Sequence, residues 1–274
     1  MKSLLTTCYG GFLQFRVVFG EPEANLTRVR EGLEHLAPQG PGLVVLPELW
    51  ASGFAYEKLS SLADQTPTFL ARLEELSRSY SIHLAGSLPE KENGLIFNTL
   101  FVTGPEGTIG RYRKQRLFAP MAEDRFFSAG DDPQPIDTPF GRLGALVCYD
   151  LRFAELARFQ TARGTGLFAV SAEWPMARLD HWRILVQARA IENQAFVIAC
   201  NCCGVTGETE FGGHSLIVAP DGAVLHEAGE EKEAAGMILA QEPLAELRGR
   251  FNTAAPTPYG SPDTNKIVSL SELL

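Results

Sequence analysis

Glu48, Lys114 and Cys148 are the residues of this sequence whose types and placing suggest chemistry. Cys148 closes the apolar run that begins at Gly144 and gives way to a helical pattern, Tyr149-Asp-Leu-Arg-Phe153. A thiol at such a strand end can attack a carbonyl while the amide N–H groups of the next turn hold the oxyanion that forms. Glu48 ends a second apolar run, Gly42-Leu-Val-Val-Leu-Pro-Glu48, and Lys114 follows the strand-like Thr108-Ile-Gly-Arg-Tyr-Arg113. A free thiol, with a pKa of about 8.5, gains from a base and a cation beside it. As base, Glu48 would take the thiol proton, return it to a leaving nitrogen and then activate water against the thioester. Lys114 and the backbone N–H of Tyr149 would hold the oxyanion. Alone, Cys148 reads as a small buried apolar side chain, the usual role of a lone cysteine.

The three residues are far apart in sequence, so the fold must bring them together. In open α/β architectures the reacting groups gather outside the carboxyl ends of strands, and each of these groups follows a strand. Between the strands, residues 23–37 place Leu26, Val29, Leu33 and Leu36 on one helical face. Residues 67–80 do the same with Leu70, Leu73 and Leu76, with Thr66 as N-cap and Pro67 in the first turn. Phe153, Leu156 and Ala157 begin a helix that Gly164 ends, Leu167–Val170 reads as a strand, and residues 181–193 as a helix. A faint repetition runs through the chain: each half reads strand, helix, strand, then a hairpin, about Gly104-Pro-Glu-Gly107 in the first and Ala219-Pro-Asp-Gly222 in the second. Periodicity alone leaves two packings open, two mixed sheets face to face or one doubly wound sheet.

The motifs around these residues resemble those of the nitrilase superfamily of carbon–nitrogen hydrolases from about residue 12 to about 250. The resemblance rests on Gln14, Asn25, Leu-Pro-Glu-Leu at Glu48, Lys-Gln-Arg-Leu-Phe at Lys114 and Val-Cys-Tyr-Asp-Leu-Arg-Phe at Cys148. It continues through His181-Trp182, Arg189-Ala-Ile-Glu-Asn193 and Gly213-His-Ser. It implies an α/β fold, a four-layer α-β-β-α sandwich of two mixed sheets. It also implies Cys148 as nucleophile, Glu48 as general base, Lys114 as oxyanion-stabilising cation, and a second glutamate, Glu123, that orients Lys114 or the bound amide. Homodimers or higher oligomers are implied, with the helices near 153–164 and 181–193 at the interface.

With 274 residues, 45% apolar and 21% charged, the chain can bury one large core, and a single domain over 1–250 is expected. Residues 251–274, rich in proline and small residues, read as an extended tail over a surface or partner subunit. A net charge of −9 without a basic patch argues against nucleic acid or an anionic membrane as partner, and no run is long enough for a membrane span. The start, Met1-Lys-Ser-Leu-Leu-Thr-Thr-Cys8, has too short an apolar core for an export signal, and five cysteines, an odd number, suit a reducing compartment; a cytoplasmic protein is expected.

Cys200, Cys202 and Cys203 lack a second Cys or His pair at zinc-site spacing and read as structural thiols, with Cys202 or Cys203 lining the pocket. Neither His181 nor His214 has the setting of a papain-like base. No metal or organic cofactor is expected, since thiol, carboxylate and ammonium already supply nucleophile, base and electrophile.

Within the superfamily, Leu-Trp-Ala-Ser-Gly-Phe54, Ser-Ala-Glu-Trp174-Pro-Met-Ala-Arg178 and Asp-His-Trp182 look most like bacterial ω-amidases, which release ammonia from 2-oxo dicarboxylic monoamides such as 2-oxoglutaramate. Phe54, Tyr149, Arg152 and Trp174 are the expected substrate-binding residues, with Arg125 and Arg178 as further candidates for a substrate carboxylate and Trp50 as a pocket wall or a core aromatic. N-carbamoyl amines and other aliphatic amides remain open as substrates. So does a thiol redox sensor without turnover, although no resolving cysteine lies close to Cys148 in the sequence.

Overall fold

Two strand–helix repeats build two sheets in a computed structural model that describes residues 7–36, 42–240, 242–250 and 253. In the first, β1 (Cys8–Gln14), β2 (Gly42–Val45) and β3 (His83–Glu92) run parallel, and β4 (Leu95–Gly104) and β5 (Gly107–Arg113) continue as antiparallel hairpins. In the second, β6 (Ile136–Thr138) is an antiparallel edge beside β7 (Gly141–Val147), which runs parallel with β8 (Thr165–Ala172) and β9 (Phe196–Asn201). After a separate hairpin of β10 (Cys203–Thr206) and β11 (Thr209–Gly212), β12 (Leu216–Val218) and β13 (Val224–Glu227) complete the second sheet. Strand β14 (Glu233–Leu239) then returns to pair antiparallel with β1, giving the orders β14-β1-β2-β3-β4-β5 and β13-β12-β9-β8-β7-β6.

The parallel crossovers are helices: α1 (Pro22–Leu36) and α2 (Leu59–Tyr80) in the first half, with a single turn, α3 (Glu123–Phe126), after β5. In the second half they are α4 (Ala154–Thr161) and α5 (Leu179–Asn193), and α6 (Glu242–Arg250) follows β14. Strand alternation decides the layering. Val44, Leu84 and Phe101 pack with Leu26, Val29 and Leu33 of α1 and Phe69 and Leu73 of α2. Their neighbours Leu43, Val45, Ala85, Leu100 and Val102 turn the other way, into one core with Leu143, Ala145, Leu167 and Ala169 of the second sheet. Leu156, Ala157, Trp182, Val186 and Ala190 of α4 and α5 join that core from the far side. The result is the α-β-β-α sandwich. Burial of each such Val or Leu contributes about 1.5–3 kcal/mol. Because β1, β2, β8 and β9 are buried along their whole length, they show no apolar–polar alternation in sequence.

The two hairpins form where expected, with Gly107 at φ 118 and Gly222 at φ 88, conformations that a side chain strains. In β7, the strand that delivers Cys148, a Cβ on Gly144 would stand 2.3 Å from the Phe168 ring, so the close approach of β7 and β8 requires glycine there. One helix start differs from the sequence expectation: α2 begins at Leu59, and Pro67 lies inside it rather than in its first turn. Leu59, Leu62 and Ala63 extend the buried face back past the proline, and Thr66 donates its hydroxyl to Pro89 O at 2.6 Å instead of capping. The tail expected over 251–274 lies outside the described residues apart from Thr253. Among the described residues no helix is long and apolar enough to cross a membrane.

Candidate active site

Three strand ends meet at one point of the sandwich. Past β2, Glu48 is followed by Leu49 at φ 41, whose N–H donates to Ser87 Oγ of β3 at 2.7 Å. Past β5, the Lys114 N–H reaches Asn98 O of β4 at 2.8 Å, one step beyond the regular ladder. Past β7, Cys148 adopts φ 45 and opens a 3₁₀ turn, Cys148–Arg152. Left-handed backbone at non-glycine residues costs on the order of 1–3 kcal/mol each and persists where the surroundings hold it in place. Here it occurs beside one charged group of the trio and at the thiol itself.

The side chains form a tight polar cluster. Lys114 Nζ donates to Glu48 Oε1 at 2.7 Å and to Glu123 Oε1 and Oε2 at 2.8 and 2.7 Å. Asn98 Nδ2 bridges the same two carboxylates, 2.8 Å from Glu48 Oε1 and 3.0 Å from Glu123 Oε1. Backbone N–H groups complete them: Glu173 N–H donates to Glu48 Oε2 at 3.0 Å and Phe118 N–H to Glu123 Oε2 at 2.8 Å. Burying one ammonium with two carboxylates carries a large desolvation cost, which these additional donors offset. Cys148 Sγ lies 3.8 Å from Glu173 O. Glu48 and Glu123 are fully buried and Lys114 is 1% exposed, whereas Cys148 keeps 9% of its surface open. That surface belongs to a cavity that Glu48, Lys114 and Glu173 also line.

Electrostatics set the resting protonation. Burial disfavours the Lys114 ammonium, but Glu123 and Glu48, with Cys148, outweigh it and hold the ammonium well above the ordinary lysine range. Burial first, then the charge on Glu48, pushes the Cys148 thiol well above the ordinary cysteine value, while Lys114 draws it down in part. The resting group is therefore a thiol that sheds its proton to a neighbour as it attacks, not a standing thiolate.

A further buried carboxyl ties the lysine loop to the cysteine turn. Asp150 Oδ1 accepts the N–H groups of Gln115 and Arg116 at 3.2 and 2.8 Å, and Oδ2 accepts those of Val147 N–H and Tyr112 O–H at 3.1 and 2.9 Å. Asp150 thus fixes the relative positions of the segments carrying Lys114 and Cys148. Burial pushes it up to about 7, against Lys114 and its own hydrogen bonds.

The chain matches the model of the carbon–nitrogen hydrolase family over residues 11–249. The chain belongs to that family. It is 39% identical to a 2-oxoglutaramate amidase of Bacillus subtilis over 85% of this chain and 90% of that protein. Its fold is similar to that of a carbon–nitrogen hydrolase from Xanthomonas campestris solved with an arsenic adduct in the active site. The TM-score is 0.86 and the identity 29%, with 91% of this chain and 97% of that one covered. It is also similar to an amidase from Nesterenkonia, solved as a Glu-to-Gln mutant with the acetamide moiety of fluoroacetamide bound covalently at the active-site cysteine. There the TM-score is 0.80 and the identity 27%, over 90% and 97% of the two chains.

In this carbon–nitrogen hydrolase, all four expected substrate-binding residues, Phe54, Tyr149, Arg152 and Trp174, line the cavity above Cys148, together with Phe118, Met121 and Arg178. Trp174 is fixed there by its N–H on Asn201 Oδ1 at 2.6 Å and its indole N–H on Arg178 O at 2.8 Å. Arg152 lies over the Trp174 ring at 4.8 Å and Arg178 over the Phe118 ring at 5.5 Å. Arg125 is not among the lining residues.

One open alternative is decided and one expectation is corrected. Of the two readings of Trp50, pocket wall or core aromatic, the second holds, since it is fully buried against Phe69. Cys202 and Cys203 do not line this cavity. The chain turns out of β9 after Asn201, burying Cys202 among apolar side chains that include Leu13 and Phe15, and Cys203 faces a different cavity beside Gln14 and Arg16. None of the five histidines lines the cavity.

Sequence reasoning did not single out Asn98, Asp150 or Glu173. Glu173 carried a readable signal, since like the trio it is a charged or reactive residue that closes a strand-like run. Asn98, in the middle of a buried strand, carried a weaker one: a polar side chain that must find partners.

Proposed function

We propose that this protein hydrolyses the terminal amide of a small 2-oxo dicarboxylic monoamide, 2-oxoglutaramate or a close analogue, through a thioester on Cys148. Cys148 Sγ attacks the amide carbon as its proton passes to Glu48. The oxyanion is held by Lys114 Nζ and the Tyr149 N–H, each such donor being worth about 3–4 kcal/mol. Glu48 returns the proton to nitrogen, the C–N bond breaks and ammonia leaves. Glu48 then deprotonates a water that attacks the thioester, and collapse restores the thiol and frees the acid. In this scheme Glu123 keeps Lys114 aimed at the oxyanion. The net change is amide plus water to carboxylic acid plus ammonia.

The observation that carries the reading is the 2.7 Å contact between Lys114 and Glu48 on the wall of the cavity that Cys148 opens onto. The substrate class is supported by the relative that acts on 2-oxoglutaramate and by Arg152 and Arg178. Both line the cavity, stacked on aromatic rings, and neither is paired with a carboxylate among the described residues. Cations so placed suit the far carboxylate of such a substrate. Ammonia release should be fastest with 2-oxoglutaramate in a screen that includes 2-oxosuccinamate, glutamine, butyramide and N-carbamoyl amines. A preference for carbamoyl compounds would retain the chemistry and reject the substrate.

We further propose that the protein acts as a homodimer, in the cytoplasm, with residues 1–250 as one catalytic unit. Ile184 and Ile191, seven residues apart on α5, are 64% and 52% exposed and give that helix an apolar outer stripe. Light scattering should return twice the mass of one chain; a monomer at micromolar concentration overturns the dimer. All five cysteines are free, as in a reducing compartment, and a native disulfide found by alkylation of freshly lysed cells would argue against that location.

A further inference from the structure

Glu173 has no role in the scheme above, although it stands at the centre of the site. It follows β8 directly, its N–H on Glu48 Oε2 at 3.0 Å and its C=O 3.8 Å from Cys148 Sγ. Its side chain is 1% exposed and lines the same cavity as Glu48, Lys114 and Cys148. Glu48 and Glu123 have both oxygens engaged, whereas neither carboxyl oxygen of Glu173 has a hydrogen-bond partner among the described residues. A buried polar group without a partner is costly, and at the floor of a cavity it becomes satisfied when a ligand brings the complementary group.

The substituents of a bound amide can be assigned one by one. With the amide carbon at Cys148, the oxygen belongs to Lys114. The acyl chain belongs to the outer cavity, where Arg152 is half-buried and Arg178 exposed. The nitrogen is left for the remaining buried acids, Glu48 and Glu173. An unsubstituted amide nitrogen carries two N–H groups, and Glu48 can engage one of them. We propose that the Glu173 carboxyl accepts the other N–H of the substrate NH₂ group and so favours the amide over the matching ester. This assignment rests on Cys148 attacking that amide. Burial, then the charge of Glu48, holds the Glu173 carboxyl well above the usual carboxylate range, which disfavours a further negative charge beside Glu48. A neutral carboxyl still offers a carbonyl oxygen to an N–H group, and glutamine offers the same oxygen.

The test compares kcat/KM for 2-oxoglutaramate and for the 5-methyl ester of 2-oxoglutarate, which deliver the same acyl group and differ only in the leaving group. Glu173→Ala is expected to lower the amide value by about 10- to 100-fold, the scale of a lost buried hydrogen bond, and the ester value by less than about threefold. Glu173→Gln is expected to keep the amide value within about fivefold of the wild type. Equal losses on both substrates would show a structural role, an unchanged amide value would show no contact, and a Gln variant as poor as Ala would show that the acid acts through its charge or proton; each overturns the proposal. If the wild type ignores 2-oxoglutaramate, butyramide and methyl butyrate serve as the pair. Amide turnover surviving in Cys148→Ala would instead reject the underlying site, so the two failures are distinguishable.

Discussion

Cys148→Ala is expected to reduce ammonia release by on the order of a millionfold, to the limit of detection, with the fold retained. The size follows from losing the nucleophile of a group of residues that act as a unit, where removing one member costs nearly as much as removing all. The substitution deletes one atom at the cavity wall and leaves Lys114, Glu48, Glu123 and Asn98 with all their mutual hydrogen bonds. The thermal midpoint should therefore move by only about a degree or two. Cys148→Ser should remain severely impaired, because Glu48 would have to deprotonate a hydroxyl far less acidic than a thiol. Residual turnover near one per cent in the Ala variant would mean that another group attacks the amide. The paired measurement is steady-state ammonia release with a melting curve on the same preparation.

Lys114→Met should damage stability and activity together. It leaves Glu48 and Glu123 buried and bridged by Asn98 with no cation between them, and breaking a buried pair in this way typically costs about 3–5 kcal/mol. Loss of the oxyanion contact alone should lower kcat/KM by about 10²–10³-fold. Adding Glu123→Gln removes one of the stranded charges and should restore part of the stability without restoring activity. Urea unfolding and initial rates on both variants separate the two effects, and an undiminished stability in Lys114→Met would contradict the buried-pair geometry.

The residues that were legible in sequence are those whose position is set locally. A charged or reactive side chain directly after a strand-like run marks a strand's carboxyl end, which singles out Glu48, Lys114 and Cys148 in the sequence itself. Pro-Asp-Gly and Pro-Glu-Gly marked both hairpins because the glycine φ is a property of the turn itself. What was not legible depends on what packs against what. β2 and β8 are apolar on both faces, so nothing in their pattern says that one face meets the opposite sheet and the other meets helices. Pro67 looked like a helix start because the packing of Leu59, Leu62 and Ala63 that carries α2 through it is tertiary. Trp50 and Cys202 lie near the reacting residues in sequence or by strand order, yet the sharp turns after Glu48 and Asn201 aim them into the core. Glu173 was readable by the same strand-end rule as the trio. Its role depends on having no hydrogen-bond partner among the described residues, which only the packed site reveals.

The most direct test of the thioester scheme is the mass of the peptide carrying Cys148 after wild-type enzyme, mixed with saturating 2-oxoglutaramate, is quenched in acid during turnover. The peptide should gain the mass of the substrate less ammonia, and the gain should vanish when the substrate is exhausted. A bare Cys148 throughout turnover, with the acyl group on Cys200, Cys202 or any other side chain, would contradict it.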